Sequence, residues 1–325
     1  MSSTPLRKGY TTGVHATLAF SKALEGVLRT QNYCRVSTHK LDNDDLDITK
    51  GCEIIVTLSY SKQALKRNPI PHTPHLLGKL QLFAGEGVGV VTKEGLKAPK
   101  GYPAINPTPL EAIGNYFQKY YTQQRILYGT ISVTDGETLA KQTANAKVGV
   151  LGGISILGTT GFVKPISSSA YLDSIATELA FAKANGYEKV VLTLGNSSLA
   201  WAKEQYEEGQ IVEVGNFVYD ALLLTHKEGF GSVLFVCGIG KAVKVAQGYK
   251  NTHNRFGSID FQALQHLIQT HLHFQIDIEK TKTVKGITTQ LGSQKEPFYQ
   301  LITQQSTQQL QRWFPSLMIE VSILS

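Results

Sequence analysis

Two hydrophobic periods run along this chain, and they fall in different halves. From Val14 to Leu28, Leu18, Ala19, Lys22, Ala23 and Val27 recur at helical spacing, with Thr11 or Thr12 placed to cap the first turn. Glu53 to Ser59 and Arg125 to Val133 read as strands. Between those strands, Leu65 to Ile105 is dense in Pro and Gly and reads as a loop, and loops that long inside a compact domain usually carry function.

The second half is more regular. The apolar runs Lys189 to Leu194, Ile211 to Val214 and Ser232 to Cys237 each end in glycine, and each is followed by helical spacing, through Trp201, Leu224 and Ala246 respectively. Repeated strand–glycine–helix units predict a parallel α/β sheet. Ahead of them, Ser168 or Ser169 caps a helix with Leu172, Ile175, Leu179 and Ala182 on one face, ending at Gly186. The tail from about Lys280 carries a helix near Gln304 to Trp313 and a last strand, Met318 to Leu324, read as a closing element without chemistry. The fold class expected is therefore an α+β N-terminal domain, residues 1–165, followed by a small α/β domain with a parallel sheet, residues 166–325, with the boundary near Lys164-Pro165.

Composition narrows the function classes. A chain of 325 residues suits two domains, and 42% hydrophobic against 18% charged residues supports a buried core and excludes a disordered or fibrous protein. The 32 basic and 25 acidic side chains leave a formal charge of +7, which permits an anionic partner without choosing one. No basic cluster, aromatic stacking motif or helix-turn-helix accompanies it, so no nucleic-acid partner is expected. Cys34, Cys52 and Cys237 are far apart, which argues against a disulfide scaffold or zinc ribbon and for a reducing compartment. Met1 to Leu6 lacks an apolar core, and Val148 to Val163 is short and broken by Gly, Ser and Thr, so a cytoplasmic protein with no membrane partner is expected. His271 and His273 would face different sides of a helix, no HExxH occurs, and no metal site is expected. Asp42, Asp44, Asp45 and Asp47 lack the glycine turn and closing Glu of a calcium loop and read as a solvated loop.

Candidate chemistry collects at the strand ends. Ligands of parallel α/β sheets sit at the carboxyl ends of the strands, where Gly195-Asn196, Gly215-Asn216 and Gly238-Ile239-Gly240-Lys241 fall. Glycine admits a ligand to the backbone, the following helix offers free N–H groups, and Asn reads hydroxyl or amide groups. One such pair commonly makes a plain turn; three on one sheet edge favour a site. Lys241 is followed by Ala242, so this is not a phosphate loop with a magnesium-binding hydroxyl. Gly149 to Gly161 holds five glycines among apolar residues and hydroxyls. Either a ligand or another backbone must pass close to it, and ligand contact is the reading favoured over a buried strand crossing.

These segments in order resemble the CbiD family of cobalt-precorrin-5B C1-methyltransferases. The matching stretches are Leu6 to Gly13 (LRKGYTTG), Gly85 to Thr92, Pro103 to Pro107, Gly152 to Gly161, Leu194 to Asn196, Asn216-Phe217, Gly238 to Lys241 and Asn251-Thr252-His253. Three departures stand out: Val14-His15 where the family usually has a small residue and Cys, Cys237-Gly238 where it has Gly-His, and Ser258, Asp260 and Gln262 where it shows Asp, Arg and Glu.

The resemblance implies methyl transfer from S-adenosylmethionine to ring carbon C1 of an anionic cobalt-tetrapyrrole, with cobalt travelling as part of the substrate and the product handed on to other enzymes of the pathway. It implies a donor site at Gly195, Asn196, Asn216, Gly238 and Gly240, set against Gly152, Gly153, Thr159, Thr160 and Gly161. Substrate contacts would come from Thr11, Thr12, Gly13, Asn106, Lys241 and Arg255, with Arg7, Lys8, Lys93 and Lys164 as further partners for its carboxylates. Glu86, Asp135 and His253 are the candidates for a base. A non-catalytic tetrapyrrole carrier is the alternative, motivated by Ser258, Asp260 and Gln262.

Overall fold

The computed structural model describes residues 9–40, 48–158, 162–163, 168–281 and 283–324. The chain forms two compact units, Met1–Ser168 and Ser169–Ser325. Pro165, Lys164 and the acidic cluster Asp42, Asp44, Asp45 and Asp47 lie outside the described residues.

The first unit lays the helix Thr12–Thr30 on a five-stranded sheet. Thr11 caps the helix by accepting a hydrogen bond from Val14 N through its Oγ1 at 3.3 Å. The buried face is Ala16, Ala19, Phe20, Ala23, Leu24 and Val27, while Leu18 is 46% exposed. The stripe thus centres on Phe20, which packs edge-on against Phe117, and Leu18 falls on the solvent side. The sheet order is Tyr33–His39, Glu53–Ser59, Leu127–Val133, Leu80–Ala84 and His75–Leu77, antiparallel except for the central Leu80–Ala84 and Leu127–Val133 pair.

The stretch Leu65 to Ile105, expected as a loop, contributes two of those strands. His75–Leu77 and Leu80–Ala84 form a hairpin whose turn uses Gly78 at φ +64°. Its alternating Leu80, Leu82 and Ala84 are fully buried. The surrounding Pro and Gly hide that period-2 signal. A helix, Pro107–Tyr120, starts with Pro in its first turn, where a missing N–H costs nothing. The glycine-rich segment then crosses back: Gly153–Ile154 pairs in parallel with Gly87–Val88, and Val150–Leu151 pairs antiparallel with Val90–Val91.

The second unit is built on a four-stranded parallel sheet in the order Ile211–Glu213, Lys189–Leu194, Ser232–Gly238 and Met318–Leu324. The chain leaves Lys189–Leu194 towards one side, through the helix Asn196–Gln205, and returns on the other side through Val218–Lys227. The order therefore reverses between Lys189–Leu194 and Ser232–Gly238, and the crevice outside the carboxyl ends at such a switch point is where ligands of open α/β sheets lie. Met318–Leu324, read from sequence as a closing strand, pairs along its whole length with Ser232–Gly238. The helix Lys295–Trp313 rests on Ile239–Ala246, with Ser306 Oγ donating to Ala242 O at 3.1 Å. Among the described residues no helix is long and apolar enough to cross a membrane.

Candidate functional site

The crevice of the second unit is framed by two glycine turns. Gly195 takes φ +98° at the end of Lys189–Leu194, a conformation that favours glycine. A Cβ built on Gly195, Gly238 or Gly240 would meet nothing within 4 Å. All three glycines thus leave open space at the switch point, and Asn196 starts its helix there with an exposed side chain.

Gly215 and Asn216 are used otherwise. A Cβ on Gly215 would stand 2.8 Å from Tyr171 Oη, so that glycine makes room for a tyrosine. Burial, and then the Glu213 and Glu178 carboxylates, push the Tyr171 phenol up to about 12. Asn216 Oδ1 accepts from Lys241 Nζ at 2.8 Å and from Thr252 Oγ1 at 2.9 Å. The carbonyl end of Asn216, expected to read the donor's polar groups, is committed to holding the lysine.

Lys241 belongs to a cationic pair. Its Nζ also donates to Thr252 O at 3.2 Å, and Lys244 Nζ donates to the same oxygen at 3.1 Å. Lys244 is 4% exposed and completes its set with Asn254 Oδ1 at 2.8 Å and Gly257 O at 2.9 Å. Burial lowers both ammonium pKa values, and the Lys244 charge lowers that of Lys241 further. Cys237 lies beneath, fully buried, its thiol pushed up to about 12 by burial.

Asn251-Thr252-His253 continues the same wall. His253 Nδ1 accepts from Arg255 N at 3.2 Å. Arg255 is exposed and lies over the Phe256 ring at 4.6 Å. Of the departures, Asp260 caps the helix Phe261–Leu272 by accepting from Ala263 N at 2.9 Å, while Ser258 contributes its main-chain O, which accepts from Tyr249 Oη at 2.6 Å. Gln262 is exposed.

In the first unit, the expected substrate residues are mostly latches. Thr12 Oγ1 donates to Leu157 O at 3.2 Å and accepts from Leu157 N at 3.0 Å, and Gly13 N donates to Leu157 O at 3.0 Å. A Cβ on Gly158 would lie 2.2 Å from Thr11 Oγ1. Asn106 is half-buried at the start of Pro107–Tyr120, its N–H donating to Ile156 O at 2.9 Å, and its side chain makes no cap bond. Lys93 is exposed.

Gly152 and Gly153, favoured as donor contacts, pack against protein. A Cβ on Gly153 would lie 2.3 Å from Gly87 C and O, and one on Gly152 would lie 2.7 Å from Asn68 Nδ2. The buried strand crossing, the less favoured reading, is what the structure shows for these two. Thr159, Thr160, Gly161, Arg7, Lys8 and Lys164 lie outside the described residues.

Glu86 and Asp135 lie on adjoining stretches of backbone. Val133 N donates to Glu86 O at 2.9 Å, and their glycine neighbours touch, a Cβ on Gly136 falling 2.1 Å from Gly87 O. Both residues are exposed, Asp135 in left-handed backbone at φ +57°, which Asp tolerates. Among the described residues no three His, Cys, Asp or Glu side chains gather as a metal would need.

Sequence reasoning passed over Asn68 and Lys244, and it matched Thr252 without giving it a role. Asn68 Nδ2 donates to Val88 O at 2.8 Å and Gly152 O at 2.9 Å, while Ile70 N donates to its Oδ1 at 2.9 Å. The available signal for Lys244 was its place one turn after Lys241, on the same face of the helix. His15 is 6% exposed with neither ring nitrogen hydrogen-bonded, and burial, with Lys40 second, lowers its pKa.

A family model described as CbiD matches residues 22–165. A cobalt-precorrin-5B C(1)-methyltransferase of Methanocaldococcus jannaschii is 38% identical over 71% of this chain, a match that spans 61% of that relative's length. Relatives of the same name from a Geobacillus strain (WCH70) and a Thermoanaerobacter strain (X514) are 37% identical over 80% of this chain and 76% of the relative, and 33% identical over 98% and 93%. A crystal structure of a cobalamin biosynthesis protein (cbiD) from Archaeoglobus fulgidus is 25% identical, covers 80% of this chain and 84% of its own, and superposes with a TM-score of 0.35, too low to add to the fold described above.

Proposed function

We propose a function from one premise: this chain belongs to the CbiD family, whose curated members carry the name cobalt-precorrin-5B C(1)-methyltransferase. The chain is a C-methyltransferase that moves a methyl group from S-adenosylmethionine to ring carbon C1 of cobalt-precorrin-5B, giving cobalt-precorrin-6A, in the cytoplasm, for the next enzyme of corrin biosynthesis. The observation that carries this reading is the match of 33% identity over 98% of the chain and 93% of its relative. The open glycine crevice at the switch point of the second unit supplies a place for the donor.

The chemistry needs little from the protein beyond placement. The ring carbon attacks the methyl carbon as the carbon–sulfur bond breaks, the electron pair stays on sulfur as S-adenosylhomocysteine leaves, and one proton leaves the product. Alignment of nucleophile and sulfonium is the main contribution, because a held near-attack geometry removes most of the entropic barrier. Gly195, Gly238 and Gly240 let the donor lie against backbone, and Asn196 offers its amide. Glu86, Asp135 and His253, all exposed, are the candidates for the group that takes the proton.

No observation favours the carrier alternative, and one of the departures that motivated it, Asp260, serves as a helix cap. The test is turnover: purified protein with S-adenosylmethionine and cobalt-precorrin-5B, the product read by mass. A gain of one methyl group is expected, and tetrapyrrole binding without it overturns the reading. The variants E86Q and D135N separate the base from the rest, since each should slow turnover while leaving donor affinity unchanged.

A further inference from the structure

Lys241 and Lys244 form an arrangement that is electrostatically incomplete. An ammonium has three N–H donors. Lys244 spends all three, on Thr252 O, Asn254 Oδ1 and Gly257 O. Lys241 spends two, on Asn216 Oδ1 and Thr252 O, and keeps one. Every one of those acceptors is a neutral oxygen. Among the described residues no carboxylate stands within ion-pair distance of either nitrogen.

Charges withdrawn from water are normally paired with an opposite charge. Here two like charges are held on one carbonyl oxygen, one of them on a side chain only 4% exposed, with neutral partners alone. Such a pair stores positive potential that an anion would discharge. The half-buried Lys241 is the member with a donor left to offer it. The chain next to Lys241 suits an incoming group: a Cβ on Gly238 or Gly240 would meet nothing within 4 Å, and Gly238 provides no side-chain cap for the first turn of Ile239–Ala246. The next residue, Ala242, brings no hydroxyl for a metal–phosphate pair.

We infer that Lys241, with Lys244 behind it, is a carboxylate subsite in the crevice, and that it takes the carboxylate of the methyl donor's methionine half. The inference rests on the methyltransferase reading for its ligand. It moves Lys241 from the tetrapyrrole to the donor and makes Lys244 a positioning residue that has no contact with either. A single remaining N–H matches one carboxylate, and the crevice at a topological switch point is where a nucleoside-bearing ligand lies.

The experiment compares S-adenosylmethionine with its decarboxylated analogue by calorimetry on the full chain and on K241M and K241R. The wild type should prefer the carboxylated donor about tenfold or more, the scale of one charge-assisted hydrogen bond. K241M should bind the two forms equally, and K241R should keep part of the preference. Unchanged preference in K241M with a tetrapyrrole KM raised about tenfold or more overturns the donor assignment and gives the subsite to a substrate carboxylate. No change in either overturns the subsite itself. Circular dichroism confirms that each variant is folded, and K241R remains informative if K241M is not. Thermal melts in succinate against chloride at matched ionic strength read the subsite without the donor: succinate should raise the wild-type midpoint more than that of K241M, and equal shifts refute it. Should the wild type bind neither donor form at millimolar ligand, the methyltransferase reading falls, and the succinate melts still decide the subsite.

Discussion

Replacing Gly153 with alanine puts a methyl group where the protein already has backbone. The new Cβ would lie 2.3 Å from Gly87 C and O and 2.7 Å from Val88 N, inside the ~3.5–4 Å of an ordinary carbon contact. Those atoms are held by the parallel pairing of Gly153 with Gly87 and Ile154 with Val88, so relief requires the crossing itself to open. Overpacking of this kind costs about 1–3 kcal/mol, and the φ of +154° adds strain of about 1–3 kcal/mol for any residue with a side chain. The sum, roughly 2–6 kcal/mol, is a large share of the ~5–15 kcal/mol that keeps a protein folded. Gly101 is the control: its φ is +84° and a Cβ there meets nothing within 4 Å, so G101A should cost only the backbone term of about 1–2 kcal/mol. Urea titration followed by circular dichroism measures both. At about 2–4 °C per kcal/mol for a domain of this size, G153A should melt roughly 4–24 °C below wild type and clearly below G101A. If G153A is no less stable than G101A while its donor affinity falls about tenfold or more, the glycine serves a ligand and the packing argument is wrong.

Other consequences are equally concrete. N68A leaves the buried Val88 and Gly152 carbonyls and the Ile70 N–H without partners and should cost about 2–4 kcal/mol, read from the urea midpoint. T12V removes a hydroxyl that both donates to and accepts from Leu157, and a loss of about 1–3 kcal/mol is expected with little change in donor affinity. Burial holds the imidazoles of His15 and His75 below their ordinary value of 6.5. In the window between the folded and unfolded pKa values the unfolded chain binds more protons, so stability is full above about pH 6.5 and declines as the pH falls below it; a melting temperature flat from pH 7 to pH 5 refutes this. With a thiol reagent, half-buried Cys34 should react first, and Cys237, raised to about 12 and fully covered, should react only on unfolding.

The elements that sequence reasoning located well are those whose signal is local. Three apolar runs ending in glycine became three strands of one parallel sheet, and Thr11 became the cap of its helix. The hairpin His75–Leu77 and Leu80–Ala84 was hidden because its strands are short and set among prolines and glycines. Gly215-Asn216 looked identical to Gly195-Asn196, yet one turn faces open space and the other is filled by Tyr171 and Lys241.

By itself the sequence determined the parallel sheet of the second unit, the glycine turns at its strand ends and the family to which the chain belongs. Periodicity and short ordered motifs are one-dimensional, and they survive without coordinates. Only the tertiary structure decided what each polar or glycine position touches. Asn68 meets Gly152 from 84 residues away, and Lys241 meets Asn216 from 25. Neither partner is marked in the chain, because a hydrogen bond or a missing Cβ takes its meaning from what the fold brings beside it.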